Sequence, residues 1–292
     1  MIKDQTQNAY TKSVNAVLNY VEKNYNSNLQ LEQLASVGNF SPYHFHRIFK
    51  AVTGETHQDF INRKRLEKAV HKMEEGLSFT QIAYDTGFAS PAHFSHAFKK
   101  FYKKTPRDFF SVYKKTGIYP VTEQKTDTAV IYTDIPYSVN QCPEYRIAYV
   151  RHIGSYDFKI GFAWKKLMGW ARENNLITAE PMRISFSHND PRLCPDNKVM
   201  YDACVVIPGD YTVKGDEPVS FRTIHSGPFI SAFFEGSPFD LPGFYTALYK
   251  KIISQSTLTL FDERDFCIHN ESVFDQIRGK FQNEIRIAVK DE

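Results

Sequence analysis

The composition of this 292-residue chain, with 42% hydrophobic and 24% charged residues, is that of a soluble globular protein large enough for two domains. The chain contains no run of about 18 apolar residues, and its start lacks the apolar segment of a secretory signal. We therefore expect a cytoplasmic protein that does not associate with a membrane. The four cysteines are scattered without metal-ligand spacing, which favours reduced thiols, no metal site and no cofactor.

Charge is distributed unevenly along the chain. Residues 1–118 hold 17 Lys and Arg against 10 Asp and Glu, a balance of +7, whereas residues 119–292 hold 19 against 23, a balance of −4. A basic region followed by a mildly acidic one is typical of an anion-binding domain joined to a domain with another role. At this point an uneven surface without functional meaning remains the alternative.

The stretch from Leu31 to Lys99 contains the same pattern twice. Residues 31–50 and 79–99 each begin with an apolar segment of helical spacing, pass through a glycine-containing turn and continue from a Ser-Pro pair. One residue, near Ala89, is gained in the second copy. Each copy predicts a short helix, a tight turn and a second helix, with serine as the N-cap and proline at the first helical position.

Two further helices are predicted around these copies. Val14 to Val21 have helical spacing, and the polar residues 24–28 should end that helix. His57 to Glu75 forms a connecting helix that ends at Gly76. At 1.5 Å per residue this helix spans roughly 28 Å, close to the ~34 Å between successive major-groove faces of B-DNA. The spacing predicts that two helices held by one rigid helix can enter adjacent grooves without dimerisation.

The second helix of each copy carries the candidate DNA-contacting residues, because phenylalanines face inward and leave polar side chains outside. Arg47 can form two hydrogen bonds to a guanine edge, Tyr43 can pack on a thymine methyl group, and His46 can donate to or accept from a base. A polar helix face without function is the alternative for the first copy taken alone. The candidates are Tyr43, His44, His46, Arg47 and Lys50 in the first copy, and Pro91, Ala92, His93, His96, Lys99 and Lys100 in the second.

Residues of about 10–113 resemble the AraC/XylS family of transcription regulators. The most specific matching residues are Ile82-Ala83, Gly87-Phe88, Ser90, His93-Phe94-Ser95, Phe98-Lys99-Lys100 and Thr105-Pro106. The resemblance implies an all-α DNA-binding domain with two helix-turn-helix units joined by a long helix. The family's base-contacting positions fall on Tyr43, His46 and Arg47, and on Pro91, Ala92, His93 and His96. Three residues depart from the family pattern, namely His96 for arginine, Lys103 for glycine and Phe110 for arginine.

A polar segment with Gly117 and Pro120 separates this part from the rest of the chain. We expect a DNA-binding domain at 8–113, a linker at 114–127 and a second domain at 128–292. The second domain shows a strand, helix, strand, strand order at 144–151, 161–174, 182–188 and 200–207, and the same order at 219–225, 242–254, 266–269 and 284–289. This order predicts an α+β domain with a pseudo-two-fold repeat.

A His-x-Gly-x-aromatic motif occurs in both halves of the second domain, at His152 and at His225, and we expect each to end a strand before a helix. Histidine in such a position raises the question of catalysis. No nucleophile, paired carboxylate or second base accompanies either histidine at a suitable spacing. The motif therefore favours structural histidines that hydrogen-bond within turns.

The second domain resembles the GyrI-like small-molecule-binding domain over roughly 129–290. The matching segments are Tyr149–Tyr156, Asn189–Pro191, Tyr201–Val205, His225–Phe229 and Glu284–Val289. Joined to the N-terminal part, they give a Rob-like architecture. Members of this family commonly bind bulky, often cationic, hydrophobic compounds between aromatic walls and a buried glutamate. Cys267 stands at the position of that glutamate, which predicts weaker recognition of cations.

The candidate effector-binding residues are Tyr156, Trp164, Tyr201, Phe229, Phe233, Phe234 and Cys267. For each aromatic residue, packing in the core is the alternative to ligand contact.

Together these features predict a nucleoid-associated transcription regulator that is not an enzyme. We expect an activator that binds double-stranded DNA as a monomer, contacts RNA polymerase and responds to a small hydrophobic or amphipathic effector. Two alternatives for the second domain are a hydrolase acting on small electrophiles and a protein-interaction module without ligand. The absence of the family glutamate disfavours the hydrolase.

Overall fold

The computed structural model describes residues 2–116, 119–120, 132, 134–155, 159–177, 181–190, 193–214, 217–237, 240–255, 265–270 and 281–289. The chain divides into two compact units. The first unit is Met1–Gln124 with Asn189–Lys198, and the second is Lys125–His188 with Val199–Glu292. The segment Asn189–Lys198 therefore belongs to the first unit, although the chain on both sides of it belongs to the second.

The first unit is helical. Its helices are α1 (Ile2–Asn24), α2 (Leu31–Val37), α3 (Pro42–Thr53), α4 (His57–Glu74), α5 (Phe79–Asp85), α6 (Pro91–Tyr102) and α7 (Pro106–Thr116), with a 3₁₀ turn at Asp196–Lys198. The predicted helices of both copies and the connecting helix are confirmed. The connecting helix α4 ends one residue earlier than predicted, and α1 begins well before Val14.

Phenylalanine pairs anchor α3 and α6 in equivalent ways. Phe45 and Phe49 on α3, and Phe94 and Phe98 on α6, are fully buried. Their ring centroids are 5.4 Å apart on α3 and 5.6 Å apart on α6. Because residues four apart lie on the same helix face, each pair fixes which side of its helix faces outward.

The turns before α3 and α6 use one left-handed residue each. Asn39 has a φ of 56° and Gly87 has a φ of 83°, and these two residues are equivalent in the repeat. A Cβ atom on Gly87 would lie 2.7 Å from the backbone of Asn26, so this turn requires glycine. Asn39 fills the same role because asparagine tolerates this conformation better than most residues.

The second unit contains an eight-stranded antiparallel sheet within its described residues. Its strands are β1 (Tyr137–Cys142), β2 (Tyr145–Ile153), β3 (Arg183–Ser187), β4 (Met200–Val206), β5 (Ser220–Ile224), β6 (Gly227–Gly236), β7 (Phe266–His269) and β8 (Phe281–Ala288), and its helices are α8 (Ile160–Glu173) and α9 (Leu241–Gln255). The strand order is β1-β6-β8-β7-β3-β4-β2-β5.

Both helices of the second unit pack on the same face of this sheet. Helix α8 packs against Ala203 and Val205, and α9 packs against Ile285, Ile287 and Cys267. Because Ser185 pairs with both Ala203 and Cys267, these residues lie on one face of the sheet. We call it the helix-covered face, and we call the opposite face, on which neither α8 nor α9 packs, the helix-free face.

Two strand predictions need correction. The strand that leads into α9 is β6, not the segment 219–225, because β5 lies at the sheet edge and pairs with β2. Strands β1 and β6 were not predicted, since β1 is largely exposed and β6 begins with Gly227-Pro228, a pair typical of turns. The second His-x-Gly motif therefore precedes a strand rather than a helix.

Candidate functional site

The outer surface of α3 carries the candidate residues of the first copy. Tyr43, His44, His46, Arg47 and Lys50 are all exposed, and the Tyr43 side chain retains 69% of its accessible surface. Nη1 of Arg47 donates a hydrogen bond of 3.3 Å to the hydroxyl of Tyr43, and its guanidinium carbon lies 5.8 Å from the ring centre. This contact holds an arginine and an aromatic ring side by side near the N-terminal half of the helix, where a major-groove helix contacts bases.

The outer surface of α6 carries the second set. Ala92, His93, His96, Lys99 and Lys100 are exposed, and Pro91 is half-buried. The ring of His93 lies perpendicular to Phe88 with their centres 5.6 Å apart, which limits the orientations of the imidazole. Helix α6 thus presents a small residue and two imidazoles first, followed by lysines.

The positive charge continues past the end of α6. Lys103 and Lys104 are exposed, and Lys103 forms the C-cap in a left-handed conformation with a φ of 60°. The equivalent residue at the end of α3 is Gly54, with a φ of 71°. Nζ of Lys103 donates to the carbonyl of Lys100 at 2.9 Å. The lysine that replaces the family glycine therefore keeps the glycine's backbone geometry.

The basic run of α4 does not face solvent. Arg63, Lys64 and Arg65 are buried. Nη2 of Arg63 pairs with Glu55 at 2.7 Å, and its Nη1 pairs with Glu67 at 2.9 Å. Burial alone would lower the pKa of Arg63, but the carboxylates of Glu67 and Glu55 raise the pKa above its ordinary value.

Arg65 has a different structural role. Its Nε donates to the carbonyl of Tyr25 at 2.7 Å, and its Nη2 donates to the carbonyl of Ser27 at 2.8 Å. These bonds satisfy carbonyl groups just beyond the end of α1. Burial lowers the pKa of Arg65 from its ordinary value. The helical spacing of His57 to Glu75 did not reveal that residues 63–65 hold the helices together.

The segment Asn189–Lys198 completes the first unit. The amide nitrogen of Asn189 donates to both carboxylate oxygens of Glu67, at 3.1 and 2.9 Å. Nη1 of Arg63 lies 3.4 Å from the sulfur of Cys194, and Nζ of Lys198 donates to the carbonyl of Thr53 at 3.1 Å. Leu193 is buried in the core formed by α4 to α7. The segment therefore contacts α4 and the last residue of α3.

The candidate effector residues of the second unit occupy both faces of the sheet. Trp164, Tyr201, Phe234 and Cys267 lie on the helix-covered face, in the cores beneath α8 and α9. Phe229 and Phe233 lie on the helix-free face, Phe229 buried and Phe233 exposed. Tyr156 lies outside the described residues. The structure thus brings four of the seven residues to one face and two to the other.

Hydrogen bonds connect the polar groups of the helix-covered face. Nε1 of Trp164 donates to the hydroxyl of Tyr201 at 3.3 Å, and the imidazole of His269 lies 2.9 Å from the hydroxyl of Ser185. The sulfur of Cys267 lies 3.3 Å from the hydroxyl of Tyr245. Burial raises the pKa values of Tyr201 and Tyr245, so both are neutral donors at physiological pH.

The predicted structural histidines form contacts within or beside turns. Nε2 of His152 lies 3.1 Å from the carbonyl oxygen of Ser155, and His225 pairs with Glu144 at 3.3 Å. Among the described residues, no group of three or more His, Cys, Asp or Glu side chains is arranged to hold a metal ion.

Comparison with known proteins agrees with this division of the chain. Residues 34–111 match a helix-turn-helix domain, and residues 135–290, more than half of the chain, match the GyrI-like small molecule binding domain. The chain belongs to the GyrI-like family. Its N-terminal part is a helix-turn-helix domain of the AraC type.

Relatives in sequence match this GyrI-like protein over little more than a third of its length. The bifunctional transcriptional activator/DNA repair enzyme AdaA of Bacillus subtilis (strain 168) is 33% identical over 107 residues, which cover 36% of this chain and 51% of AdaA. The probable transcription factor PqrA of Proteus vulgaris is 31% identical over 112 residues, 37% of this chain and 88% of PqrA. The transcriptional activator RhaS of Escherichia coli O157:H7 is 32% identical over 108 residues, 37% of this chain and 38% of RhaS. The chain spans about half the length of AdaA.

Solved structures are similar to each part separately. The match to the C-terminal domain of EcmrR covers 54% of this chain and 99% of the EcmrR domain, with 13% identity and a TM-score of 0.43. The DNA-binding domain of AdpA, solved in complex with a target DNA, covers 36% of this chain and 95% of its own, with 21% identity and a TM-score of 0.34.

In the part of this GyrI-like chain that the structure describes, no helix is long and apolar enough to cross a membrane.

Proposed function

We propose that this GyrI-like protein is a transcription regulator that binds double-stranded DNA through α3 and α6. The observation that carries the proposal is the matched exposure of these helices. Ten of the eleven candidate DNA-contacting residues are exposed, whereas the phenylalanines on the opposite sides of both helices are fully buried. AraC-type relatives named as transcription factors or activators support the same function.

The two helix-turn-helix units are α2–α3 and α5–α6, joined by α4. With 18 residues, α4 is about 27 Å long. The buried ion pairs of Arg63 with Glu55 and Glu67 favour a rigid α4, and therefore a rigid connection between the two helix-turn-helix units. A rigid spacer of this length suits two helices that enter successive major grooves on one side of a duplex, bound by a monomer.

We expect α3 and α6 to make different kinds of contact with DNA. Helix α3 presents Tyr43, His46 and Arg47, which offer donors, acceptors and an apolar ring to base edges. Helix α6 has His96 where Arg47 stands in α3, and it is followed by lysines that suit phosphate contacts. We therefore expect most of the sequence specificity from α3 and much of the salt-dependent affinity from α6.

Replacement of Arg47 tests the DNA-binding proposal. Arg47→Ala removes one bidentate base contact and should weaken binding to a promoter fragment from the protein's own genome by about 1–3 kcal/mol. Binding to random duplex should change much less, because that binding depends on phosphate contacts. Fluorescence anisotropy with both duplexes measures the difference.

The matched control for this experiment is Arg172→Ala, which removes an exposed arginine from α8. This variant should bind both duplexes as the unmodified protein does. Equal affinity of the unmodified protein for promoter and random DNA at low salt would contradict specific regulation. Unchanged promoter binding by Arg47→Ala would exclude Arg47 from base contacts.

The second unit is proposed to bind a small hydrophobic or amphipathic effector. Its strand order places β6-β8-β7 beside β3-β4-β2, with one helix for each half, which supports a pseudo-two-fold repeat. The membership in the GyrI-like small-molecule-binding family supports a ligand. Candidate contacts are Tyr156, Trp164, Tyr201, Phe229, Phe233, Phe234 and Cys267.

Effector binding is proposed to reach the DNA-binding helices through the segment Asn189–Lys198. This segment connects β3 to β4 along the chain, yet it belongs to the first unit. The segment is covalently continuous with both strands, and its hydrogen bonds to Glu67 on α4 and to Thr53 at the end of α3 connect it to the helices proposed to bind DNA. A change in β3 or β4 can therefore alter the position of α4 and the response at a promoter, where we expect contact with RNA polymerase and activation.

A further inference from the structure

A buried charge cluster lies on the helix-free face of the sheet. Asp202 is completely buried and accepts hydrogen bonds from Nε and Nη2 of Arg151, at 2.6 and 2.7 Å. Nε2 of His188 lies 2.8 Å from Oδ2 of the same carboxylate. Burial alone would raise the pKa of Asp202, but Arg151 and His188 hold it well below its ordinary value. The carboxylate is therefore ionised and committed to Arg151 and His188.

A second arginine lies beside this carboxylate without comparable bonds. Nη2 of Arg222 is 3.5 Å from Oδ2 of Asp202. Nε and Nη2 of Arg222 are buried without a close hydrogen-bond partner among the described residues, although the side chain also interacts with the buried thiol of Cys204. Buried donors of this kind normally have a partner, because losing hydration without compensation is unfavourable. One carboxylate thus faces two guanidinium groups, which leaves a surplus of positive charge beside Arg222.

Aromatic rings continue from Arg222 across the same face. The guanidinium carbon of Arg222 lies 3.5 Å from the centre of the Phe186 ring and 5.4 Å from that of Tyr149. Phe186 is 5.7 Å from Phe266, which is 5.4 Å from Phe229. The Arg222 side chain as a whole remains 23% exposed, so a small molecule can approach it, but the buried Nε and Nη2 are reached only when neighbouring side chains move. The face therefore combines a planar cation with an adjoining row of rings.

We propose that Arg222, with Arg151, His188 and Asp202 behind it, binds the carboxylate of a small organic acid with a planar apolar body. The guanidinium fork matches a carboxylate, since two parallel N–H groups can donate to its two oxygens. The apolar body packs beside Phe186 and Tyr149. The site rests on the proposed function and narrows its ligand class, since the row of rings includes the candidate effector residue Phe229 and excludes the candidates on the helix-covered face.

Calorimetric titration of the full chain tests this site with 2-naphthoate as the probe. The neutral 2-naphthamide, the cationic 2-naphthylmethylammonium and inorganic phosphate serve as comparison ligands. We expect 2-naphthoate to bind and each comparison ligand to bind at least about tenfold more weakly, because each lacks either the carboxylate or the planar body. Equal binding of the amide, or of inorganic phosphate, would overturn the proposed ligand class.

Variants identify the residue responsible. Arg222→Gln should weaken 2-naphthoate binding about tenfold or more, and Arg222→Lys should also weaken it because lysine lacks the planar fork. Arg172→Gln removes an exposed arginine from the same unit and should leave binding unchanged. Circular dichroism checks that each variant is folded, and if Arg222→Gln does not fold, the Lys variant supplies the comparison.

Two outcomes would overturn the proposal, namely no binding of 2-naphthoate to the folded unmodified protein and unchanged binding by a folded Arg222 variant. DNA binding without ligand is measured on the same samples, so that failure of the proposed carboxylate site can be distinguished from failure of the proposed DNA-binding function. A protein that binds promoter DNA specifically but not 2-naphthoate retains the proposed function and lacks the site.

Discussion

At the scale of single residues, Lys103 is a lysine in a left-handed backbone conformation that favours glycine. Its left-handed conformation costs a non-glycine residue roughly 1–2 kcal/mol, and its equivalent in the first copy is Gly54. The hydrogen bond from its side chain to Lys100 is exposed and offsets little of that cost. Lysine at this position retains a cation next to α6 at the expense of stability.

Lys103→Gly should therefore raise the free energy of unfolding of the first unit. The gain is expected to be about 0.5–1 kcal/mol, since relief of the left-handed conformation is partly offset by the greater freedom of glycine in the unfolded chain. Urea unfolding measures it. Lys104→Gly is the matched control, because Lys104 is exposed but has no positive φ, and it should give no gain. If Lys103→Gly is no more stable than the unmodified protein, the left-handed conformation of Lys103 does not destabilise the first unit.

At the scale of helices, α3 and α6 share a Ser-Pro start but differ in capping. The hydroxyl of Ser90 accepts a hydrogen bond from the backbone N–H of His93 at 3.1 Å. Ser41 occupies the N-cap of α3 with a φ of −71° against −160° for Ser90, and its side chain makes no capping bond. The two serines thus share a following proline but differ in their contribution to the helix N-terminus.

Ser90→Ala should destabilise the first unit by about 1 kcal/mol, the usual contribution of an N-cap side chain. Ser41→Ala should change the free energy of unfolding by no more than a few tenths of that amount. Thermal unfolding monitored by circular dichroism compares the two variants directly. Equal losses from both substitutions would show that Ser41 also caps its helix in solution.

The helices of the first unit could be predicted because their apolar spacing and caps are local. Phe45 and Phe49 repeat as Phe94 and Phe98, and the same period places their polar neighbours outside. The role of Arg63 could not be predicted, because one of its partners, Cys194, is 131 residues away in the chain. Strand β1 also escaped prediction, since an exposed edge strand shows little apolar alternation.

The candidate sites were predictable to different degrees. The candidate DNA-contacting residues were predicted from helical spacing and a repeat. Both features are local, and ten of the eleven residues are exposed in the structure. The effector residues rested on aromatic type and, for Cys267, on the position of the family glutamate, and the structure divides the described ones between two faces of one sheet. Arg222 and Asp202 were not singled out, because only strand pairing brings them together on one face.

At the scale of the whole molecule, the segment Asn189–Lys198 shows how the sequence of one domain contributes to another unit. It lies inside the region that matches the GyrI-like family, yet its contacts are with α3, α4 and the core of the first unit. Chain continuity therefore joins the two units at three points rather than one. The two additional connections provide the proposed route for effector control.

Asn189→Ala should loosen α4 without unfolding the protein. The substitution removes both hydrogen bonds from Asn189 to the buried carboxylate of Glu67, which we expect to cost about 1–3 kcal/mol. Hydrogen exchange of the α4 amides should become faster. Asn197→Ala, at an exposed position of the same segment, should leave their exchange unchanged. Unchanged α4 exchange in Asn189→Ala would show that the segment does not stabilise this helix.

Hydroxyl-radical footprinting on a bound promoter fragment is the most direct measurement of how the molecule binds DNA. A single chain with two recognition helices joined by α4 should protect two patches about 10 base pairs apart on one side of the duplex. In Arg47→Ala the patch at α3 should weaken more than the patch at α6. A single protected patch, or a footprint that requires two chains, would contradict binding of adjacent major grooves by one molecule.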